Sequence, residues 1–346
     1  MTLFSQFRGL LQTDIALDVG TANTRIYSRD KGMVLDEASV ICVSSGGQTD
    51  ASVLQTQVVG GEAKRMLGRL PRNIEAIRPI HGGVIAHFSE TQRMIGEFIK
   101  MGRARRMLSA SLHATVGVPS GATQVERRAI KEAIQGAGVT HVMLLEKPIA
   151  AALGAGVAVF DAIGSLVVDI GAGSTEIGVV ALGSVAHKAS ARVGGDTFDR
   201  AIINHLRRAR GLLIGEQTAE RIKHEIGCAI AGDDETCVEV TGHNLSEGIP
   251  RTLQVSSSEV FEALCDPLNQ IVSLLKSALE RTPPELATDI ADRGIVLSGG
   301  SARLHSMDRR LAQETGLRVL VATDPMTCVV RGMGMAIDSL QSYCFE

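Results

Sequence analysis

The sequence contains no tryptophan, two tyrosines and eight phenylalanines, so aromatics make up 3% of its 346 residues. It also lacks a basic excess: 35 Lys and Arg stand against 38 Asp and Glu, for a net charge of -3. Nucleic-acid binding calls for a cationic face and usually for stacking rings, and both deficits argue against it. The six cysteines, Cys42, Cys228, Cys237, Cys265, Cys328 and Cys344, include no CxxC pair. They read as reduced thiols of a cytosolic protein, not a zinc site or a disulfide frame. No apolar segment reaches the roughly 18 residues of a membrane span, and the start lacks the parts of a secretory signal. The expectation is a cytoplasmic chain that neither crosses a membrane nor is exported. What remains is an ordinary soluble balance, 45% hydrophobic and 21% charged, with length for two domains at about 150 residues each.

The stretch LVVDIGAGSTEIGVVAL, Leu166 to Leu182, organises the rest. Leu166-Val167-Val168 reads as a buried strand ended by Asp169. Gly171-Ala172-Gly173 makes a turn, and Ser174-Thr175-Glu176 leads into a second apolar run. Strand, glycine turn, strand is a hairpin, unlike the strand-to-helix loop of a P-loop or Rossmann fingerprint. Such a turn aims several backbone N–H groups at one spot, and its small residues let an anion approach closely. Asp169 can hold a hydrated Mg²⁺, and the Ser174 and Thr175 hydroxyls can bond phosphate oxygens or a water. ALDVGTANTRIYS, Ala16 to Ser28, repeats the device with Asp18, Gly20, Thr21 and Thr24. One glycine hairpin is most often only a turn. Two of them, each opened by an aspartate, point to two related half-domains that clamp one nucleotide's phosphates.

Along the chain, Met1 to Leu11 sets Leu3, Phe4, Phe7, Leu10 and Leu11 on one helical face. This is either an interfacial helix laid into a bilayer or a terminus packed on the first strand. Val34 to Val43 reads as a strand, Gly46 to Gln57 as a loop, and Glu62 to Leu67 as a helix. A helix from about Ser89 to Gly102, capped by Ser89, follows. Lys100, Arg103, Arg105 and Arg106 beside Met107 and Leu108 form either a contact for anionic lipid or a solvated helix end. His113 to Val118 is a strand, and Thr123 caps a helix over Val125 to Gln135. Val142 to Leu145 is a strand before a helix opened by Pro148, and Glu146-Lys147 at that junction could reach a bound nucleotide. Phe198 to Arg210 and Thr218 to Gly227 are helices, the second capped by Thr218. Glu220 and Lys223 lie near one face of it, as solvated charges or as polar contacts to ribose and base. Strands over Cys237 to Thr241 and Leu253 to Val255 precede a long amphipathic helix, Val260 to Glu280. In Gly294 to Leu304, Gly299 and Gly300 open a helix whose free N–H groups can receive a phosphate or sugar edge.

Taken in order, Asp18 to Thr24, Val118-Pro119, Asp169 to Glu176, Glu220 to Lys223 and Ser298 to Ser301 resemble the actin/DnaK/sugar-kinase superfamily. The longer strings TQVERRAI, GEQTAERIKHEIG, TPPELATDIADRG and DPMTCVVRG closely resemble the MreB family of bacterial actin-like proteins within it. The resemblance covers Phe7 to Leu340. It implies an α/β, actin-like fold of two RNase-H-like lobes, each with a smaller inserted subdomain, and a nucleotide cleft between them. Lobe I would span 1–147, with an insert over about 38–75, and be completed by about 325–346. Lobe II would span 148–324, with an insert over about 183–245. The resemblance further implies ATP with Mg²⁺ and protomers stacked into filaments. It places them at the inner membrane face through Met1 to Leu11, with cell-elongation membrane proteins as partners, guiding cell-wall synthesis in a rod-shaped cell. By family position, Thr21, Ala22, Asn23, Ala172, Gly173 and Ser174 cradle the phosphates. Glu220, Arg221, Ile222 and Lys223 meet ribose and adenine, Gly299, Gly300, Ser301 and Ala302 the adenosine side, and Asp18 and Asp169 the metal.

The departures fall on the chemistry. MreB-like proteins carry an acidic residue immediately before the proline that is here Pro148, where it polarises the attacking water. This chain has Lys147 there and Glu146 one position earlier, and one residue of shift at a strand end points a side chain the other way. Ser174 stands for a threonine and keeps the hydroxyl, while Ala172 and Ser301 stand for glycines. A positioned general base contributes about 10²–10⁴-fold to rate, whereas phosphoryl transfer otherwise rests on metal and backbone positioning. The expectation is that ATP binding survives while hydrolysis is slow or lost, with Lys147 as a fixed cation for the γ-phosphate. The alternative is that Glu146 takes the role after a small backbone shift. A sugar kinase or a DnaK-like ATPase is the runner-up class, and a non-hydrolysing paralogue that co-assembles with an active partner is a third reading.

Overall fold

The computed structural model describes residues 12–44, 58–71, 74–102, 111–232 and 235–343. Met1 to Leu11, the loop expected over Gly46 to Gln57, and Arg103, Arg105 and Arg106 lie outside them. The chain divides into two compact units, Met1–Ala158 with Thr327–Glu346, and Val159–Met326.

The first unit begins with β1 (Gln12–Val19), β2 (Asn23–Ser28), β3 (Gly32–Ala38), β4 (Ile41–Ser44), α1 (Gly60–Met66) and β5 (Ile74–Ile77). It continues with β6 (Ile80–His81), β7 (Val84–Ile85), α2 (Phe88–Gly102), β8 (Ser111–Val118), α3 (Gln124–Gly136), β9 (His141–Glu146) and α4 (Lys147–Gly154). The second unit holds β10 (Ser165–Ile170), β11 (Thr175–Ala181), β12 (Ser184–Ala191), α5 (Gly195–Arg210), β13 (Leu212–Leu213) and α6 (Glu216–Ile226). After these come β14 (Cys237–Asn244), β15 (Pro250–Ser256), α7 (Ser257–Glu280), α8 (Pro284–Arg293), β16 (Ile295–Ser298), α9 (Met307–Thr315) and β17 (Val319–Val321). The last helix, α10 (Cys328–Tyr343), returns to the first unit.

Each unit is built on a five-stranded mixed sheet, ordered β3-β2-β1-β8-β9 in the first and β12-β11-β10-β16-β17 in the second. In both, an antiparallel meander of three strands joins two parallel strands through its innermost member, β1 or β10. Every residue of β10 is buried, as expected of a central strand covered on both faces. Strand β12, SVAHKASA, instead alternates exposed and half-buried positions, the pattern of a pleat with one solvated face. Because β12 belongs to the large sheet, the smaller sheet β13-β14-β15 begins later than the expected residue 183. Helix α4 stays with the first unit, which therefore reaches Ala158 and not 147.

Several expected boundaries move. Val34 to Val43 is two strands, because the chain leaves the large sheet at Ser39: β3 pairs with β2, whereas β4 pairs with β5. Thr123 does cap α3, accepting from the Glu126 amide at 3.2 Å while Glu126 Oε2 accepts from the Thr123 amide at 2.8 Å. This reciprocal cap contributes about 1 kcal/mol. Ser89 is not a cap, since α2 starts at Phe88 and places it in the first turn. Nor is Thr218: α6 starts at Glu216, whose carboxylate suits the positive end of the helix dipole. Gly299 and Gly300 open only a 3-10 turn, Gly300–Arg303, and the α-helix that follows begins at Met307.

The closest helix contact lies between α4 and α10. Helix α4 buries Pro148, Ala150, Ala151, Ala152 and Gly154. A Cβ at Gly332 of α10 would overlap the Ala150 carbonyl oxygen, and one at Gly154 would overlap the Cys328 carbonyl oxygen. Both obstacles are backbone and cannot swing aside. Gly332→Ala is therefore expected to lower stability by about 3 kcal/mol. Gly96→Ala, in α2 where an added methyl meets nothing within 4 Å, is expected to raise it by about 0.5–1 kcal/mol. Urea unfolding midpoints of the two variants check both.

Candidate functional site

In the first unit, β1 carries Asp18 next to its end, with Asp18 opposite Arg25 of β2. The turn is closed by the Gly20 amide donating to Asn23 O at 3.0 Å. Ser39, which the sequence reading missed, braces it: its hydroxyl donates to Gly20 O at 2.7 Å and lies 2.9 Å from Thr24 Oγ1. Thr21 Oγ1 accepts from the Gly83 amide at 3.0 Å, and Asn23 Nδ2 donates to Asp36 Oδ1 at 2.8 Å. The Thr21 and Asn23 side chains are thus engaged in holding the turn and its flanking strand.

Asp18 is 6% exposed, and Lys147 Nζ lies 3.0 Å from its Oδ1. The contact is electrostatic, since Oδ1 accepts no hydrogen bond. The neighbouring Glu146 points elsewhere, its Oε1 accepting from Arg127 Nη2 of α3 at 2.9 Å. Adjacent residues at the end of β9 therefore serve opposite directions, as the alternation of a strand requires. Arg127 lies in the string TQVERRAI but carries no local sign of this partner.

In the second unit, Asp169 of β10 is likewise 6% exposed. The Gly171 amide donates to Ser174 O at 2.9 Å and closes the hairpin turn. Three further segments of the unit converge on it. The Gly195 amide donates to Gly171 O at 3.0 Å, the Asp196 amide to Ala172 O at 2.9 Å, and Ser301 Oγ to Gly171 O at 2.8 Å. Among the described residues, no backbone carbonyl accepts from the amides of Ala172, Gly173 or Ser174, which leaves those donors for a ligand. Gly299 adopts φ +92°, and a Cβ there would overlap the Ile170 carbonyl oxygen, so only glycine fits. Gly300 faces open space. Thr175 is a structural tie, fully buried and donating to Val193 O at 2.8 Å.

The structure separates the four α6 candidates. Lys223 Nζ donates to Asp199 Oδ2 at 3.0 Å and to Gly195 O at 3.2 Å. Glu220 is near enough to act on Asp199 electrostatically. Ile222, by contrast, is fully buried in the hydrophobic core. Arg221 donates to Glu225 Oε2 and to Glu239 O, both at 3.0 Å. The helical period puts residues three apart on one face, so the Arg221 and Ile222 side chains face away from those of Glu220 and Lys223. Ala302 also points into the core, while Ser301 remains at the turn. Asp199 went unread in the sequence, though it stands one turn from Asp196 on α5.

Among the described residues, no group of three or more His, Cys, Asp or Glu could hold a metal ion. Asp18, already facing an ammonium, does not fit a directly bound dication. Asp169, a buried carboxylate at the end of β10, is an oxygen ligand of the kind a hard dication takes.

Two units of the same strand order, each ending its innermost meander strand in an aspartate and a glycine hairpin, define an actin-like protein. The crystal structure of MreB5 of Spiroplasma citri bound to ADP matches with TM-score 0.88 at 29% identity, covering 96% of this chain and 98% of that one. The MamK double helical filament, at 19% identity, shares the fold with TM-score 0.79, covering 94% and 99%. The MreB/Mbl protein family matches residues 12–344, and the chain belongs to it. It is 51% identical over 341 residues to cell shape-determining protein MreB of Escherichia coli strain K12, covering 99% of this chain and 98% of the other. It is 42% identical over 327 residues to cell shape-determining protein Mbl of Bacillus subtilis strain 168, covering 94% and 96%.

Burial pushes the Asp199 carboxyl up to about 6 against the opposing pull of Lys223, with Glu220 and Asp196 adding like charge. A carboxyl with a raised folded pKa holds its proton more tightly when folded. Its stabilising contribution is present below its ordinary value near 3.8 and is lost as pH rises toward about 6. Asp199→Asn removes this titration. Relative to the wild type, the variant is expected to gain on the order of 2–3 kcal/mol between pH 4 and pH 7. Paired denaturation curves across that range check the sign.

Proposed function

We propose that this protein binds ATP, polymerises in response to it, and lies as filaments on the inner membrane face, where it guides cell-wall synthesis in a rod-shaped cell. The observation that carries the reading is the pair of aspartate-tipped hairpins, Asp18 to Asn23 and Asp169 to Ser174, on sheets of the same strand order. Turn amides at Thr21, Ala22, Ala172, Gly173 and Ser174 supply donors for phosphate oxygens. Glu220, Lys223 and the turn Gly299 to Ser301 serve the nucleoside end. An adenine nucleotide is supported by MreB5 of Spiroplasma citri, which is bound to ADP in one structure and to AMPPNP in another. Mg²⁺, when bound, neutralises phosphate charge, and Asp169 is the residue that would hold it.

Hydrolysis is slow in this reading. Lys147 takes the place of a water-polarising acid, and an ammonium paired with a carboxylate has no lone pair to accept a proton. Glu146 is held by Arg127 and does not substitute. The same pair favours a member that co-assembles with an active partner. Among the described residues, no helix is long and apolar enough to cross a membrane. Attachment is assigned to the apolar face of Met1 to Leu11 and to membrane proteins of cell elongation.

Sedimentation tests the polymer. The chain is expected to pellet in ATP and to co-pellet with anionic liposomes only when Met1 to Leu11 are present. Pelleting that ignores ATP would overturn the reading. Lys147→Glu is expected to raise phosphate release by about 10²-fold or more, and equal release from both proteins would remove Lys147 from the account.

A further inference from the structure

We propose that a cavity of about 520 Å³ beside the last turn of α6 binds a short peptide through its carboxylate, its ammonium groups and one apolar side chain. Every residue that lines it belongs to Val159–Met326, and its volume is that of a small-ligand site, roughly 300–1,000 Å³. Glu220, Lys223 and the turn Gly299 to Ser301 do not line it, so it stands apart from the contacts assigned to the nucleoside.

Several segments of the unit wall it. Glu225 and Ile226 come from the end of α6, Ile230 and Glu235 from the chain between α6 and β14, and Phe261 from the second turn of α7. Ser306 and Arg309 come from the entry to α9. Backbone bonds tie these segments together. The Ala229 amide donates to His305 O at 2.8 Å, and the Ser257 amide to Thr236 O at 2.8 Å. The space is therefore set by the fold before any ligand enters.

The lining offers three kinds of contact. Ile226, Ile230 and Phe261 form an apolar portion that a side-chain stem or ring can cover. Glu225 and Glu235 supply two carboxylates. Hydrogen bonds from Ser258 and Ser256 hold the Glu235 carboxyl below its ordinary value, so it is charged at neutral pH. Among the described residues no group of three or more His, Cys, Asp or Glu could hold a metal ion, and the two acids suit an organic cation instead. Arg309 supplies the opposite charge, and its guanidinium has no ion pair or hydrogen bond among the described residues. It stands in the first turn of α9, where the Ser306 side chain makes no cap. There the Asp308 and Arg309 amides meet no backbone carbonyl among the described residues. Open amides and a guanidinium at a helix start receive a carboxylate. Two acids and one arginine leave this set at minus one, the complement of a ligand with two ammonium groups and one carboxylate.

The test is calorimetric titration of the full chain with the dipeptide Lys-Phe, which carries those three charges and one ring. A Kd of about 10–100 μM is expected. Lys-Phe amide, which lacks the carboxylate, and the Arg309→Gln variant are each expected to lower affinity by about tenfold or more. Ala231→Trp, which fills the cavity from an exposed lining position, is expected to abolish binding. N-acetyl Lys-Phe identifies the source: affinity within about threefold of the dipeptide assigns the site to the C-terminal tail of a protein, and a greater loss assigns it to a free peptide. No binding up to about 1 mM dipeptide overturns the proposal, as does equal affinity for the amide or unchanged binding by both variants. Simple competition by ATP also overturns it, by placing the peptide in the nucleotide contacts. Should Ala231→Trp fail to fold by circular dichroism, Arg309→Gln, an exposed change, decides in its place.

Discussion

A carboxylate buried at the tip of a central strand has to be met by a cation or by hydrogen-bond donors, because the interior does not replace the water it has lost. Much of the first unit follows from how that demand is met at Asp18. The hairpin turn after it is braced by Ser39. The lysine that answers it stands at the first turn of α4, and α4 is in turn held by the backbone-close crossing of α10. Removing one member of such a pair strands the other as a buried charge. The second unit buries a lysine–aspartate pair of its own, Lys223 with Asp199, at 2.9 Å and nearly equal burial. That pair sits behind the hairpin turn, between helices α5 and α6, and not at a strand tip. Units of matching topology thus place their internal cation differently.

Fold and site were legible in the sequence to different degrees, for physical reasons. Strand β10 announces itself through the apolar run Leu166-Val167-Val168 and β1 through the shorter Ile15-Ala16-Leu17, and Asp18 and Asp169 stand out because each ends such a run before a glycine turn. These signals are local. The Lys147 to Asp18 contact is not, since it depends on the order β1-β8-β9. Arg127 and Asp199 were hidden for the same reason. Helix starts failed where a good capping residue, Ser89 or Thr218, lies just inside the first turn and another residue makes the entry. Arg221 and Ile222 were included as a block, although the helical period already set them apart from Glu220 and Lys223.

Membership of the MreB/Mbl family fixes the architecture, and the relatives at 51% and 42% identity extend over nearly the whole chain. Chemistry is a finer property than fold. At the start of α4 a lysine faces Asp18, and Glu146 beside it is held by Arg127 of α3.

The return of α10 to the first unit has a consequence for the order of assembly. Val159–Met326 is one unbroken stretch, whereas the earlier unit is completed only by Thr327–Glu346. The later unit has every strand of its sheet within one continuous segment. In the earlier one, the alanine side of α4 and strands β1, β2 and β8 take their covering helix from the far end of the chain. The earlier unit therefore carries more of its packing in contacts between distant parts of the chain, the kind that form slowly because a long loop must close first.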